Sequence, residues 1–263
     1  RCSVDERSNQ AISMVYLDTN TKARNDADLA LVLGSRLGET DWWGKPPYWA
    51  KPEDQKLIQV DTDPENLGHI RPADLPVQAD VKAFLKALIA ELRARHAPMD
   101  LGARRKHLGE LKDHARLRRE ELDEKLDDNE SPVNSAKVVK AAQDVFDDDA
   151  IFITDGGNTS VWSNFFLEVR TPRSLFTTAK MGHLGAGVAQ ALGAAVAAPD
   201  KQVCCLIGDG AMGFHPQEIE TAIRNDLKVV YVVFCDLQWG MVKMNQQFAL
   251  KPLKTFLLKS LSK

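Results

Sequence analysis

The 263-residue sequence has little of what defines several protein classes. Its four cysteines form no Cys-x-x-Cys pair, and no histidine stands beside them at metal-ligand spacing. A disulfide scaffold and a cysteine-ligated metal site are therefore not indicated. The longest run of small apolar residues, 188–198, contains a glutamine and is too short to cross a bilayer. Because no signal-peptide pattern opens the sequence, we expect a cytoplasmic location and no membrane partner.

A strong charge of one sign is also lacking. The 34 Lys and Arg residues nearly balance the 37 Asp and Glu residues, for a formal net charge of −3. This balance gives no electrostatic reason to expect a nucleic-acid partner. Hydrophobic residues make up 44% of the sequence, enough for a full core and more than one domain. We predict that Cys204, Cys205 and Cys235, which lie in apolar runs, are buried strand residues.

Residues 1–97 are predicted to form a first domain. The apolar runs 28–33 and 56–61 are typical of buried strands. Asp80 is placed to cap a helix from 81 to about 95, whose apolar face includes Phe84 and Leu92. Strand, loop and helix in alternation predict a parallel α/β sheet. Residues 1–27 show no clear period.

Residues 98–130 are dense in charge of both signs, and we predict one long, solvated helical linker there. Residues 131–263 form the second predicted domain. Its strands are predicted at 151–154, 175–178, 203–207 and 228–235, and its helices at 134–146, 187–197 and 216–225. The predicted fold class is α/β, with two Rossmann-like parallel sheets. Ligands bind such sheets at the carboxyl ends of the strands.

Three turns of the second domain fall at such strand ends. In Gly208-Asp209-Gly210, the glycines let backbone N–H groups approach an anion, and the carboxylate suits a divalent cation bound to phosphate. Such a triplet alone is more often a plain tight turn. However, Asp236 and Gln238 follow the next strand, and neighbouring parallel strands would bring them beside Asp209. The third turn, 156–159, offers N–H groups and a hydroxyl to a diphosphate.

The order of these motifs resembles that of thiamine-diphosphate-dependent enzymes, in particular their acetohydroxyacid (acetolactate) synthase-like branch. The family signature begins Gly-Asp-Gly and ends in Asn-Asn about one helix and one strand later, where this chain has Cys235-Asp236. The Gly-rich segment 182–194 and the Gly-Met-Val at 240–242 also resemble that branch. Segments 28–36 and 59–72 resemble its central domain, so the resemblance covers about residues 22–252.

The resemblance implies a set of site residues. The implied Mg²⁺ ligands are the side chains of Asp209 and Asp236 and the backbone carbonyl of Gln238. The implied cofactor-binding residues are Gly157, Asn158, Thr159, Gly182, Leu184, Gly208, Gly210, Ala211 and Met241. Among these, the Gly182 backbone would lie near the aminopyrimidine ring, and Leu184 would prop the cofactor into its bent form.

The implied activity is Mg²⁺-dependent cleavage or formation of a C–C bond in a 2-keto acid or acyl donor. The alternatives are a C–C hydrolase or oxidase of the same family, or a non-catalytic nucleotide-binding module. We expect a fragment, inactive alone, because the family has a pyrimidine-binding domain with an activating Glu ahead of this region. The full-length protein is expected to be a homodimer or homotetramer.

Several residues stay open. His183 lies beside the cofactor-facing turn and could shuttle protons, but no catalytic residue is assigned. The aromatic segment 42–49 could contact a nucleotide or a partner domain, although a satellite hydrophobic cluster is favoured. Asp61 and Asp63, at a strand end, could meet a ribose. Whether the first domain binds FAD, ADP or nothing is left undecided.

Overall fold

The computed structural model describes residues 3–95, 101–126, 131–178 and 181–249. The chain separates into two compact units. One is Leu17–Arg118, and the other combines the chain up to Tyr16 with the chain from Arg119 onwards. Each unit has a parallel sheet, which confirms the predicted α/β class.

The Leu17–Arg118 unit has a three-stranded sheet of order β1-β2-β3. Its elements are α1 (Leu17–Asp26), β1 (Leu29–Leu33), β2 (Lys56–Asp61), β3 (Leu75–Gln78), α2 (Val81–Arg95) and most of α3 (Gly102–Leu126). As predicted, the Asp80 carboxylate accepts the Ala83 N–H at the start of α2, 2.9 Å away. Leu92, on the predicted apolar face of α2, is 52% exposed. The single helix predicted between the domains corresponds to α3 in the described residues.

The aromatic segment forms the predicted hydrophobic cluster. Trp49 is buried with Leu37 and Leu57, while Trp42 stacks on Tyr48 with ring centroids 4.1 Å apart. The two acidic residues at the end of β2 are also engaged locally. The Asp61 carboxylate accepts the backbone N–H of Asp63, and the Asp63 carboxylate caps the short 3-10 helix that follows. Their hydrogen bonds therefore shape a turn.

The other unit has a four-stranded parallel sheet of order β5-β4-β6-β7. Its strands are β4 (Ile151–Asp155), β5 (Leu175–Thr177), β6 (Val203–Gly208) and β7 (Val230–Phe234). Its helices are α4 (Ser135–Val145), α5 (Gly157–Phe166), α6 (Ala186–Ala197), α7 (Asp209–Met212), α8 (Glu218–Arg224) and α9 (Gly240–Ala249). The predicted strands are confirmed to within two residues. Helices α5, α7 and α9 are not among the predicted helices, and α8 begins two residues after Pro216 rather than at it.

The sheet is covered on both faces. Alternate residues of β4 and β6 pack into two cores, with Ile153 and Cys205 beside α6, and Phe152 and Cys204 beside α4. The burial predicted for Cys204 and Cys205 is confirmed, but Cys235 is exposed. The reason is that β7 ends at Phe234, and no further strand pairs with it in the described ranges.

Candidate functional site

Three strand ends meet at one edge of the four-stranded sheet. β4 pairs with β6 and β6 with β7, in a register that aligns Asp155 with Ile207 and Gly208 with Phe234. The turns after these strands therefore lie side by side. A Cβ atom placed on Gly156 would be 3.2 Å from the Gly208 nitrogen, which shows how closely the first two turns approach. This confirms the predicted placement of the turns.

Asp209 joins the second turn to the third. It is the first residue of α7 and is half-buried. One carboxylate oxygen accepts the Gly210 N–H at 2.7 Å, and the other accepts the Leu237 N–H at 3.0 Å. The Cys235 sulfur lies 3.8 Å from that second oxygen. The structure thus brings Asp209 beside the turn that carries Asp236, as the parallel register predicts.

Asp236 and Asn158 approach each other from different strand ends. A Cβ atom on Gly240 would lie 2.6 Å from Asp236 Oδ2 and 2.8 Å from Asn158 Nδ2, so both polar atoms border the same point. Asp236 is exposed, and its Oδ1 accepts the Gln238 N–H at 3.2 Å. The Gln238 side chain is held by Lys243, 2.8 Å away. An acidic oxygen and an amide therefore converge beside the Asp209 turn.

Two further glycines of the predicted set line a tightly packed cradle. A Cβ on Gly157 would be 2.6 Å from the Met241 Cβ, and a Cβ on Gly210 would be 2.8 Å from the Trp239 ring. Thr159 is buried, and a Cβ on Gly208 would be 3.2 Å from its Oγ1. Gly157, Asn158 and Thr159 lie in the first turn of α5, not in a loop. Their N–H groups are therefore among those that an α-helix leaves without an intrahelical acceptor.

The segment 182–184, just before α6, contains the remaining predicted residues of this site. Gly182 is exposed with φ +61°, a conformation that favours glycine, and a Cβ there would meet nothing within 4 Å. The Leu184 side chain is half-buried against the core beside α6. His183 is exposed, with its ring 6.4 Å from that of His215. Of these three predicted residues, Leu184 packs against the core, while Gly182 and His183 are exposed.

Asp155 is a polar residue of this edge that the sequence prediction missed. Its side chain is fully buried at the end of β4, a strand that begins with three apolar residues. Its carboxylate accepts backbone N–H groups from Gly156 and from Gly187, the latter 2.7 Å away. A carboxylic acid that closes a buried strand directly before two glycines is the signal that could have drawn attention to it.

The strands under this edge carry unreactive thiols. Burial raises the pKa of Cys204 to about 12. The pKa of Cys205 is also raised, first by burial and then by the nearby Asp155 carboxylate. Since the thiolate is the reactive form, both side chains act as core residues.

The donor set at this edge fits a hard divalent cation. Carboxylates and carbonyls are the ligands that Mg²⁺ prefers, and Mg²⁺ commonly joins one or two carboxylates to ligand phosphates. Across the described ranges, no three His, Cys, Asp or Glu side chains group closely enough to hold a metal ion. A cation beside Asp209 and Asp236 therefore needs further oxygens from the backbone and from a ligand. The N–H groups in the first turn of α5, next to them, have no intrahelical acceptor and therefore suit a diphosphate.

Comparison with known proteins identifies the family of the domain that contains this sheet edge. Residues 155–256 match the C-terminal TPP binding domain of thiamine pyrophosphate enzymes, a range that contains all three turns. Residues 3–88 match the central domain of the same enzymes. The chain belongs to the thiamine pyrophosphate enzyme family. This confirms the family resemblance, and the two matches follow each other in the order that the motifs indicated.

Curated relatives of this thiamine pyrophosphate enzyme chain have several activities. It is 30% identical over 247 residues to sulfoacetaldehyde acetyltransferase of Castellaniella defragrans, covering 84% of this chain and 39% of that protein. Acetolactate synthase isozyme 1 large subunit of Escherichia coli is 31% identical, with coverages of 84% and 37%. Oxalyl-CoA decarboxylase of E. coli is 29% identical, with coverages of 80% and 36%. The chain thus spans somewhat over a third of the length of these relatives.

None of the helices in the described ranges is both long and apolar enough to cross a bilayer.

Proposed function

We propose that this chain is the central and diphosphate-binding part of an enzyme that makes or breaks a C–C bond in a 2-keto acid or acyl donor, using Mg²⁺ and thiamine diphosphate. The observation that carries the proposal is the convergence of Asp209, Asp236 and Asn158 at one sheet edge. The family match and the C–C bond chemistry of relatives such as acetolactate synthase support it. The boundaries predicted at 97 and 130, the homo-oligomer and the cytoplasmic location stay predictions.

In this proposal, the residues of the edge divide the binding task. Asp209, Asp236 and the Gln238 carbonyl would hold Mg²⁺, while the N–H groups of 157–159 and of Gly210 and Ala211 would hold the diphosphate. When bound, thiamine diphosphate supplies the carbon nucleophile and the electron sink. The chain's own contribution is to hold the charged end rigidly and to shape the bent form through Leu184. No proton transfer is assigned to His183.

Asp236 departs from the asparagine of the family signature. At about 5 Å, its charge repels a diphosphate oxygen by roughly 3 kcal/mol at an effective dielectric constant of 20. Attraction to a doubly charged cation at shorter distance outweighs this repulsion. We therefore propose that cofactor binding depends more strongly on Mg²⁺ than it would with asparagine. Asp236→Asn should lower Mg²⁺ affinity in calorimetric titration; unchanged affinity would refute the electrostatic argument.

The decisive experiment is calorimetric titration of the 263-residue chain with thiamine diphosphate, with Mg²⁺ and with EDTA. We expect micromolar binding that requires Mg²⁺ and disappears in Asp209→Ala. The matched control is Asp200→Ala, because Asp200 is exposed and lies before β6, at the opposite end of that strand. Binding of ADP or NAD that is insensitive to Asp209→Ala, without thiamine diphosphate binding, would overturn the proposal and favour a nucleotide-binding module.

A further inference from the structure

The buried carboxylate of Asp155 bridges two backbone segments. Asp155 closes β4, which lies between β5 and β6, and its side chain has no exposed surface. Its Oδ1 accepts the N–H of Gly156 at 2.5 Å, and its Oδ2 accepts the N–H of Gly187 at 2.7 Å. Both oxygens are therefore engaged by backbone N–H groups, one at the end of β4 and one in α6.

The bond to Gly187 does the work of a helix cap. Gly187 is the second residue of α6, where an α-helix has no intrahelical acceptor for the N–H group. Gly185 stands at the N-cap position and makes no side-chain cap. Asp155 supplies the missing acceptor from a residue 32 positions earlier in the chain. The first turn of α6 is thus anchored to the end of β4.

The packing at this contact is too tight for any other residue than glycine. A Cβ atom on Gly187 would lie 2.6 Å from the Asp155 Cβ and 2.9 Å from Oδ2. Gly156 and Gly185 have φ values of +96° and +87°, which favour glycine. The segments on both sides of the bridge are therefore held in defined conformations directly against the carboxylate.

The two bridged segments serve opposite ends of the ligand in the proposed function, on which this inference rests. Residues 156–159 are the proposed partners of the diphosphate, and residues 182–184, just before α6, are the proposed partners of the aminopyrimidine ring. We propose that Asp155 is a positioning residue that fixes the separation of these two half-sites. It acts through Gly156 and Gly187 and does not itself touch the cofactor.

A carboxylate is required for this role because both of its oxygens accept. An asparagine of the same shape has one acceptor oxygen, and its NH₂ group would face the other N–H. One buried backbone N–H would then lose its acceptor, which is costly in the interior. The bridge would open at one side, and the two half-sites would no longer be held at a fixed distance.

The test compares two ligands that use different parts of the site. Inorganic pyrophosphate with Mg²⁺ needs only the diphosphate half-site, whereas thiamine diphosphate with Mg²⁺ needs both. Affinities are measured by calorimetry for the wild-type chain, Asp155→Asn and Thr154→Val. Thr154 is the matched control because it is equally buried, lies next to Asp155 in β4, and its hydroxyl has no hydrogen-bond partner in the described ranges.

Asp155→Asn should weaken thiamine diphosphate binding by about tenfold or more, while pyrophosphate binding changes by less than about threefold. Thr154→Val should change neither. Equal affinities for wild type and Asp155→Asn, or an equal loss for both ligands, would overturn the positioning role. If circular dichroism shows that Asp155→Asn is unfolded, Asp155→Ser, which is smaller and keeps one oxygen, is measured with the same expectation. A wild-type chain that binds neither ligand would overturn the proposed function itself.

Discussion

Replacing Gly157 by alanine tests the close packing of the glycine cradle directly. The new methyl group would lie 2.6 Å from the Cβ and 3.1 Å from the sulfur of Met241. Non-bonded carbon atoms are optimally about 3.5–4.0 Å apart, so the first turn of α5 and the start of α9 must separate by about 1 Å. A Cβ contact cannot be relieved by rotating the Met241 side chain, because the Met241 Cβ is fixed to its backbone.

The expected change in the free energy of unfolding of Gly157→Ala combines two opposing effects. Overpacking of this kind costs about 1–3 kcal/mol. Alanine in place of glycine within a helix gains about 0.5–1 kcal/mol through the unfolded state and helix propensity. Gly193 in α6 isolates the second effect, because a Cβ there would meet nothing within 4 Å. The two alanine variants should therefore differ in free energy of unfolding by the overpacking cost alone, about 1–3 kcal/mol.

Urea unfolding followed by circular dichroism measures this difference. We expect Gly193→Ala to be more stable than wild type and Gly157→Ala to be less stable than Gly193→Ala. Adding Met241→Gly should restore part of the loss in Gly157→Ala, whereas adding Met241→Ala should not, because alanine keeps the clashing Cβ. A Gly157→Ala variant as stable as Gly193→Ala would refute the packing that the structure gives to this cradle.

Three further predictions concern other parts of the chain. In peptide-resolved iodoacetamide labelling, Cys235 should react in the native protein while Cys204 and Cys205 react only after unfolding, since the latter two are buried and their pKa values are raised; early labelling of either would contradict the burial. Arg71→Ala should destabilise the Leu17–Arg118 unit by about 2–4 kcal/mol, because Arg71 is 2% exposed and donates to two backbone carbonyls in the 44–50 loop. Thermal unfolding measures this loss, and an unchanged melting temperature would contradict the prediction. Burial raises the pKa of Tyr231 to about 12 from the ordinary value of 10.0. The contribution of the neutral Tyr231 side chain to the free energy of unfolding is therefore complete below pH 10 and is lost as the pH rises towards 12. Tyr231→Phe should remove this part of the alkaline destabilisation, and an identical pH profile would refute its assignment.

The metal-ligand candidates could be predicted from the sequence because a general rule places them. Parallel strands end at one edge, so any residue directly after β6 or β7 comes close to its counterpart. Asp209 and the turn of Asp236 are adjacent for that reason. The same rule does not fix the individual residue at which a strand ends. Cys235 was therefore predicted inside β7, and the structure has it one residue beyond, exposed.

Helix α5 was missed for a different reason. Gly-Gly-Asn-Thr at 156–159 is typical of a turn, and glycine has a low intrinsic helix propensity. In the structure, Gly157 and Asn158 are already helical because α5 packs on β4, β6 and the start of α9. Tertiary contacts decided the local structure, and those contacts involve chain more than 80 residues away, as between Gly157 and Met241.

Asp155 shows the limit of motif reasoning most clearly. Residues proposed to touch a ligand stand at strand ends and have recognisable neighbours in sequence. A residue that holds two such segments together is recognised only when both partners are known, and Gly187 lies 32 positions from Asp155. A side chain at position 187 would collide with the Asp155 carboxylate packed against it, so this position requires glycine. Substituting either member of the pair disturbs the same bridge, and for that reason Gly187→Ala should reproduce the selective loss of thiamine diphosphate affinity expected of Asp155→Asn.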